Sequence, residues 1–202
     1  MKTVRVFLLL TLLTSLNCSS KQKGNTEVEM TRPKYEITAF QNGEELGKIV
    51  LETFPAEAPK HAANFDSLVS IGFYDGTAFH RVMPGFMIQG GGPNSKNFPD
   101  DRRMWGVSDP TQTTVPAEFN AGKEGWTHKR GILSAARTND PNSATSQFFL
   151  MHADSPHLDG KYSIYGQILE GLEVVDKIAM TPRNNQDFPN DNITMQIRKI
   201  SE

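Results

Sequence analysis

The stretch Phe79-His80-Arg81-Val82-Met83-Pro84-Gly85-Phe86-Met87-Ile88-Gln89-Gly90-Gly91 decides the fold. Two short apolar runs, 79–83 and 86–89, flank Pro84-Gly85, a pair that punctuates strands with a turn. Runs of the same kind follow at 131–136, 147–151 and 162–168. Upstream, residues 35–40 alternate, Asn42-Gly43 signals a turn, and 47–53 alternate again. This predicts an antiparallel pair whose connection is longer than a two-residue hairpin. Residues 193–200 close the chain as another alternating strand. Two segments carry helical spacing instead. Over 60–71, Ala62, Phe65, Leu68, Val69 and Ile71 recur at that spacing, and Gly72 stops it; over 170–178, Leu172, Val175 and Ile178 share a face. Many short strands with two helices predict a barrel or a sandwich, between which periodicity does not choose.

At 202 residues one domain is expected. The net charge is −2 and the basic residues are scattered, which argues against nucleic acid as the main partner. No repeat, heptad pattern or low-complexity tract is present.

The amino-terminal segment is set apart. Lys2 and Arg5 precede an apolar run over 6–13, too short to span a bilayer, and small polar residues follow. Residues 1–17 read as a secretory signal, 18–33 as a flexible polar tether and 34–202 as the folded domain. Cys18 is the single cysteine, so it has no disulfide partner within the chain. It is either an ordinary residue near the end of a removed peptide or a lipidation site. Leu16-Asn17-Cys18-Ser19 resembles a bacterial lipoprotein box, although Asn17 stands where that box prefers a small residue. The polar stretch after it suits a tether, and acyl chains on Cys18 would hold the domain at a membrane surface. The expected location is the bacterial cell envelope, periplasm or outer membrane, with lipid as the only membrane contact.

Residues 92–130 are the least regular part, with Pro93, Pro99, Pro110, Pro116 and the charged cluster at 100–103. A loop of that length inside a domain is usually functional or mobile.

The opening stretch resembles the central signature of the cyclophilins, and the preceding Gly72-Phe73-Tyr74-Asp75-Gly76-Thr77 is family-like too. A second block runs from Gly131-Ile132-Leu133-Ser134-Ala135-Ala136-Arg137 to Ser146-Gln147-Phe148-Phe149. A third is Leu158-Asp159-Gly160-Lys161-Tyr162 with Tyr165-Gly166. The three fall in family order, and the similarity extends over residues 35–200. It implies a mainly β fold, a closed eight-stranded antiparallel barrel capped by two α-helices, with the active groove on its outer face. It also implies peptidyl-prolyl cis-trans isomerase activity on proline-containing peptides and unfolded proteins, by a monomer without cofactor or metal.

The residue types suit that chemistry. Amide resonance sets a barrier of roughly 20 kcal/mol to rotation about an Xaa-Pro bond. A fixed cation donating toward the prolyl nitrogen favours the twisted state over either planar one. Arginine, permanently charged and multi-donor, fits. The resemblance makes Arg81, Phe86 and Gln89 catalytic, with Gln89 holding Arg81 or the substrate carbonyl. It makes Phe86, Met87, Phe149 and Leu158 the proline pocket, with Ala136, Arg137, Gln147, His157 and Tyr162 completing the substrate-binding set. Taken singly, these residues read as surface arginine and core apolar groups. His80 is expected on the face opposite Arg81 as a satisfied structural histidine. His61, His128, His152 and His157 lack metal-ligand spacing, and no nucleophile elbow is present.

Two substitutions depart from the family's eukaryotic form. His157 replaces a tryptophan that donates to cyclosporin, which predicts weak drug binding. Tyr162 replaces a histidine, as in bacterial members. The connection 137–146 is one residue longer, and the segment 92–130 is atypical. An alternative reading is a membrane-anchored module that binds proline segments, or a chaperone, rather than an isomerase.

Overall fold

Pairing begins at the hairpin of β1 (Lys34–Gln41) and β2 (Glu44–Thr53). The structure, a computed structural model, describes residues 31–119 and 126–201. The signal segment, Cys18 and most of the tether lie outside them. The β1–β2 connection is shorter than the sequence predicts. Asn42 (φ 53°) and Gly43 (φ 89°) form it alone, both in the left-handed region that twist-matched two-residue turns require. The residues that lengthened the predicted loop are absorbed by a bulge between Ala39 and Phe40.

The remaining strands are β3 (Ala78–Met83), β4 (Met87–Gly92), β5 (Ile132–Ala135), β6 (Phe148–Met151), β7 (Ile164–Glu170) and β8 (Ile193–Ser201). They close in the order β1-β2-β7-β5-β6-β4-β3-β8, every neighbour antiparallel. The choice between sandwich and barrel falls to the barrel. Closure removes the unpaired edges that a sandwich of such short strands leaves.

Two helices cover its ends. In α1 (Pro59–Ser70), Phe65 meets the Tyr35 ring edge-on at 5.1 Å, at the start of β1. The opposite end of that hairpin holds Gly47, paired with Ala39. Val174 of α3 (Leu172–Ala179) presses on Gly47 so closely that an added Cβ would meet its methyl at 2.7 Å. Ile71, counted into the α1 face from spacing, stands past the helix end and is 71 % exposed. The second helix starts later than spacing suggests, because β7 continues to Glu170 and Gly171 turns the chain at φ 87°.

Alternation along two strands explains the groove. Phe148 and Leu150 of β6 join the barrel interior, while Phe149 and Met151 join a second apolar cluster with Met87, Ala136 and Leu158. On β4, Met87 faces the second cluster and Ile88 the interior. Successive side chains point to opposite faces, so a strand buried on both sides reads as one continuous apolar run. The second cluster is therefore on the barrel's outer surface.

The segment after β4 is braced rather than loose. It carries a four-residue helix, α2 (Asn94–Asn97), and a 3-10 turn over Arg102–Met104. Trp105 is buried and donates from Nε1 to the Phe98 carbonyl at 2.9 Å. Further on, Val115 bridges Ala144. The Glu118 carboxylate accepts from the Lys60 and His61 backbone N–H groups at 3.0 Å each, capping α1.

Candidate active site

β3 carries a bulge that sets the chemistry of the outer face. Phe79 pairs with Gly90 and Arg81 with Gln89, so two residues of β3 oppose one step of β4. Phe79 and Val82, three apart, both belong to the interior cluster. In a regular strand Phe79 and Arg81 would share a face; the bulge instead turns Arg81 outward beside Gln89.

His80 is the bulged residue, and here the sequence expectation needs correcting. It is buried on the groove side, under Gly106, whose Cβ position lies 3.3 Å from the ring. It is not fully satisfied either, because Nδ1 has no hydrogen-bond partner among the described residues. Burial pushes its pKa down to about 4; the Ala78 backbone opposes this, and the neighbouring Arg81 charge adds a little to it. The ring is neutral near neutrality.

Arg81 is half-exposed and is tethered through Nε, 3.6 Å from Asp187 Oδ2. Asp187 is fixed in turn. Its backbone lies at φ 65°, its carbonyl accepts from the Val82 N–H at 2.9 Å, and its other carboxylate oxygen is 3.3 Å from Arg183 Nε. A half-exposed ion pair contributes little stability, but this one restricts where the guanidinium can point. Asp187 was not among the residues expected from sequence. It lies in the connection between α3 and β8, far along the chain, and no local pattern marks it.

Arg81, Phe86, Met87, Gln89, Ala136, Arg137, Phe149, Leu158 and Tyr162 line one pocket of about 120 Å³. That is well below the roughly 300 Å³ at which pockets for drug-sized ligands begin, so it accepts one small group. Gln147 and His157 stand just outside. Gln147 lines an adjoining cleft that shares Gln89, Ala136 and Arg137 with the pocket. His157, exposed, stacks on Phe86 at 5.8 Å and extends the rim. Gln89 does not hold Arg81. Its Nε2 donates to Gln147 Oε1 at 3.1 Å, and Gln147 Nε2 donates to the Gly106 carbonyl at 3.2 Å. This chain of amides ties the pocket edge to the 92–119 segment.

The walls are fixed by backbone and ring contacts. The Phe86 carbonyl accepts from His152 N–H at 2.9 Å, and His152 Nδ1 accepts from Gly85 N–H at 3.0 Å. Arg137 lies over the Tyr162 ring at 4.4 Å and donates to the Lys161 carbonyl from Nε at 3.0 Å and from a terminal nitrogen at 2.8 Å. Its side chain thus braces the rim.

His128 is a second residue that sequence reasoning missed. Its ring stacks under Phe149 at 6.1 Å and 19°. Nδ1 lies 2.8 Å from Asp159 Oδ1, and Nε2 lies 3.2 Å from Ser134 Oγ. Burial lowers its pKa against the opposing pull of Asp159. Ser134, His128 and Asp159 have the connectivity of a hydrolytic triad. Ser134 is fully buried and donates to the Ser163 carbonyl at 2.9 Å, so no acyl group can reach it. The arrangement ties the pocket floor to the turn carrying Leu158. Its only trace in the sequence is Asp159 beside Leu158.

The family model for cyclophilin-type peptidyl-prolyl cis-trans isomerases matches residues 37–200. The chain belongs to that family. The Acinetobacter baylyi peptidyl-prolyl cis-trans isomerase is 39% identical over 168 residues, 77% of this chain and 83% of its own length. Peptidyl-prolyl cis-trans isomerase A of Dickeya dadantii is 39% identical over 163 residues, 76% of this chain and 80% of its own. Among solved structures, a Cryptosporidium parvum cyclophilin-type isomerase superposes with a TM-score of 0.69 at 27% identity, covering 85% of this chain and 99% of its own. A crystal structure of that protein in the presence of the dipeptide Ala-Pro matches with the same TM-score at 28% identity, over 84% and 99% of the two chains. Membership gives the chain its reaction, rotation about Xaa-Pro peptide bonds. The closed barrel with end-covering helices agrees with it.

Proposed function

We propose that the outer pocket holds the prolyl ring while Arg81 lowers the barrier to rotation of the preceding bond. The observation that carries this is a tethered arginine lining the same small pocket as the apolar side chains of Phe86, Met87, Phe149 and Leu158, with room for about one ring. Phe86, Met87, Phe149 and Leu158 bury the ring, which contributes roughly 1.5–3 kcal/mol to binding. As the carbonyl turns out of the amide plane, the prolyl nitrogen becomes pyramidal and its lone pair localises. A guanidinium N–H donating there stabilises this twisted state and gains little from either planar one. No bond is made or broken, and no proton leaves the enzyme. Gln89 and Gln147, joined by their amides, form the polar edge along which the flanking peptide lies, with the backbone near Arg137 beside them.

The substrates are proline-containing segments of unfolded proteins, consistent with the Ala-Pro dipeptide used with the related Cryptosporidium parvum protein. With the signal-like segment and Cys18, the reading extends to an exported, lipid-anchored monomer that assists folding in the bacterial envelope. Mass spectrometry of the mature amino terminus tests the anchor: a diacylglyceryl mass on Cys18 supports it and an unmodified cysteine rejects it. Because His157 offers no indole N–H, cyclosporin binds weakly. The activity itself is tested by exchange NMR on an Xaa-Pro peptide. Substoichiometric protein accelerates cis–trans exchange, and Phe86→Ala raises KM about tenfold. An exchange rate unchanged by the wild-type protein contradicts the reading.

A further inference from the structure

Beyond the proline pocket, the groove continues onto a surface made by the 92–119 segment. The pocket shares Gln89, Ala136 and Arg137 with the adjoining cleft, which is bordered by Gly106 and Ser108. Ser108 also borders a third cleft, of about 350 Å³, whose apolar walls are Phe98, Met104, Val107 and Pro110. Phe98 is 47 % exposed and Val107 45 %. Two large apolar side chains facing one cleft differ from scattered surface apolar residues, which need no explanation.

The frame beneath them is rigid. Asn94, buried, donates to the Val107 carbonyl at 3.1 Å, and Trp105 donates to the Phe98 carbonyl at 2.9 Å. Arg102 lies 5.2 Å over the Trp105 ring and donates to the Pro189 carbonyl, in the same connection that carries Asp187. The backbone that carries the exposed walls is therefore pinned by buried partners on both sides of the cleft. An apolar cleft held in this way loses little ordering entropy when it is filled.

We infer that this cleft is an outer subsite of the groove, taking an apolar side chain of the substrate polypeptide a few residues away from the proline. The occupant follows from continuity. A chain with its proline in the pocket and its backbone along Gln147 and Gly106 passes Ser108 and enters the cleft. The inference rests on the proline-groove reading above. It makes the protein selective for segments that combine a proline with a nearby apolar residue.

The test uses fluorescently labelled nine-residue peptides with one central proline, in which a single leucine is moved through each position against a serine background. Anisotropy gives affinity for the full chain, and exchange NMR on an unlabelled Ala-Pro tetrapeptide is run in parallel. Leucine at one position, or two adjacent ones, on one side of the proline tightens binding about tenfold. Val107→Asp and Phe98→Ser each abolish that gain while their unfolding midpoints stay near that of the wild type. The inference is overturned if no position gives a gain, or if the gain survives both substitutions. Failure of the wild-type protein to speed exchange in the tetrapeptide contradicts the isomerase groove instead, and leaves the leucine pattern to decide the subsite.

Discussion

The interior and the outer face of the barrel are made from the same two strands, yet they do different work. Ile88 and Leu150 point inward and are fully covered; Met87 and Phe149, their immediate neighbours, point outward and floor the groove. The interior is closed by end helices and packed with side chains, as in other small barrels. The outer cluster is finished only in part. Phe86 and Tyr162 remain half-exposed, and in the proposed reading a substrate ring supplies the missing neighbours. One pleated strand thus carries an interior face and a face that lines the outer pocket. Substitutions one residue apart should report on different properties.

The largest separation is expected at Ile88→Ala. Cutting a fully buried aliphatic side chain costs about 2–5 kcal/mol through lost contacts and the cavity left behind. Urea unfolding gives a correspondingly lower midpoint, while turnover per folded molecule stays within a few-fold. A large turnover loss in still-folded protein breaks the division between faces.

His80 offers a test by pH. Its folded pKa, about 4, lies below the ordinary value near 6.5. Between those values the unfolded chain binds a proton that the folded chain does not, so stability rises with pH across this window and flattens above it. The stability lost on going from neutral pH down to pH 4 is of the order of 3 kcal/mol, from a shift of that size. His61 and His128 are shifted in the same direction, also through burial. Unfolding midpoints between pH 4 and 7 for the wild type and His80→Gln check this. The variant shows a shallower slope in this window, and an equal slope places the dependence elsewhere.

A smaller effect is expected at Asp187→Asn. The Arg81 charge stays, but its tether weakens, and kcat falls about tenfold, or roughly 1.4 kcal/mol, with KM nearly unchanged. Steady-state exchange kinetics read this directly. A change confined to KM makes Asp187 a substrate contact rather than a positioning residue.

These comparisons also mark what the sequence could and could not disclose. Strand runs and helical faces were legible because burial imposes a period of 2 or 3.6. Residues 148–151 showed no alternation because both faces are covered, and that hid the groove from pattern reading. Only the family's ordered blocks brought Arg81, Phe86, Met87, Gln89, Phe149, Leu158 and Tyr162 together, and the structure puts them around one pocket. The bulge at His80 left a single trace, Phe79 and Val82 three apart on one strand. Asp187 and the His128–Asp159 pair depend on contacts between distant segments, which no local window contains. The Asn42-Gly43 turn was readable as a type, but the bulge that shortened its loop was not.

The central claim is that Arg81 acts on the twisted state and not on ground-state binding or folding. Exchange NMR on an Xaa-Pro peptide with Arg81→Ala, with peptide affinity and unfolding midpoint taken on the same sample, tests it most directly. The account predicts that kcat falls by about 10²–10³, as when a preorganised donor is removed, while affinity changes less than about threefold and the midpoint holds. Turnover equal to wild type, or a loss matched by an equal loss of peptide affinity, contradicts it.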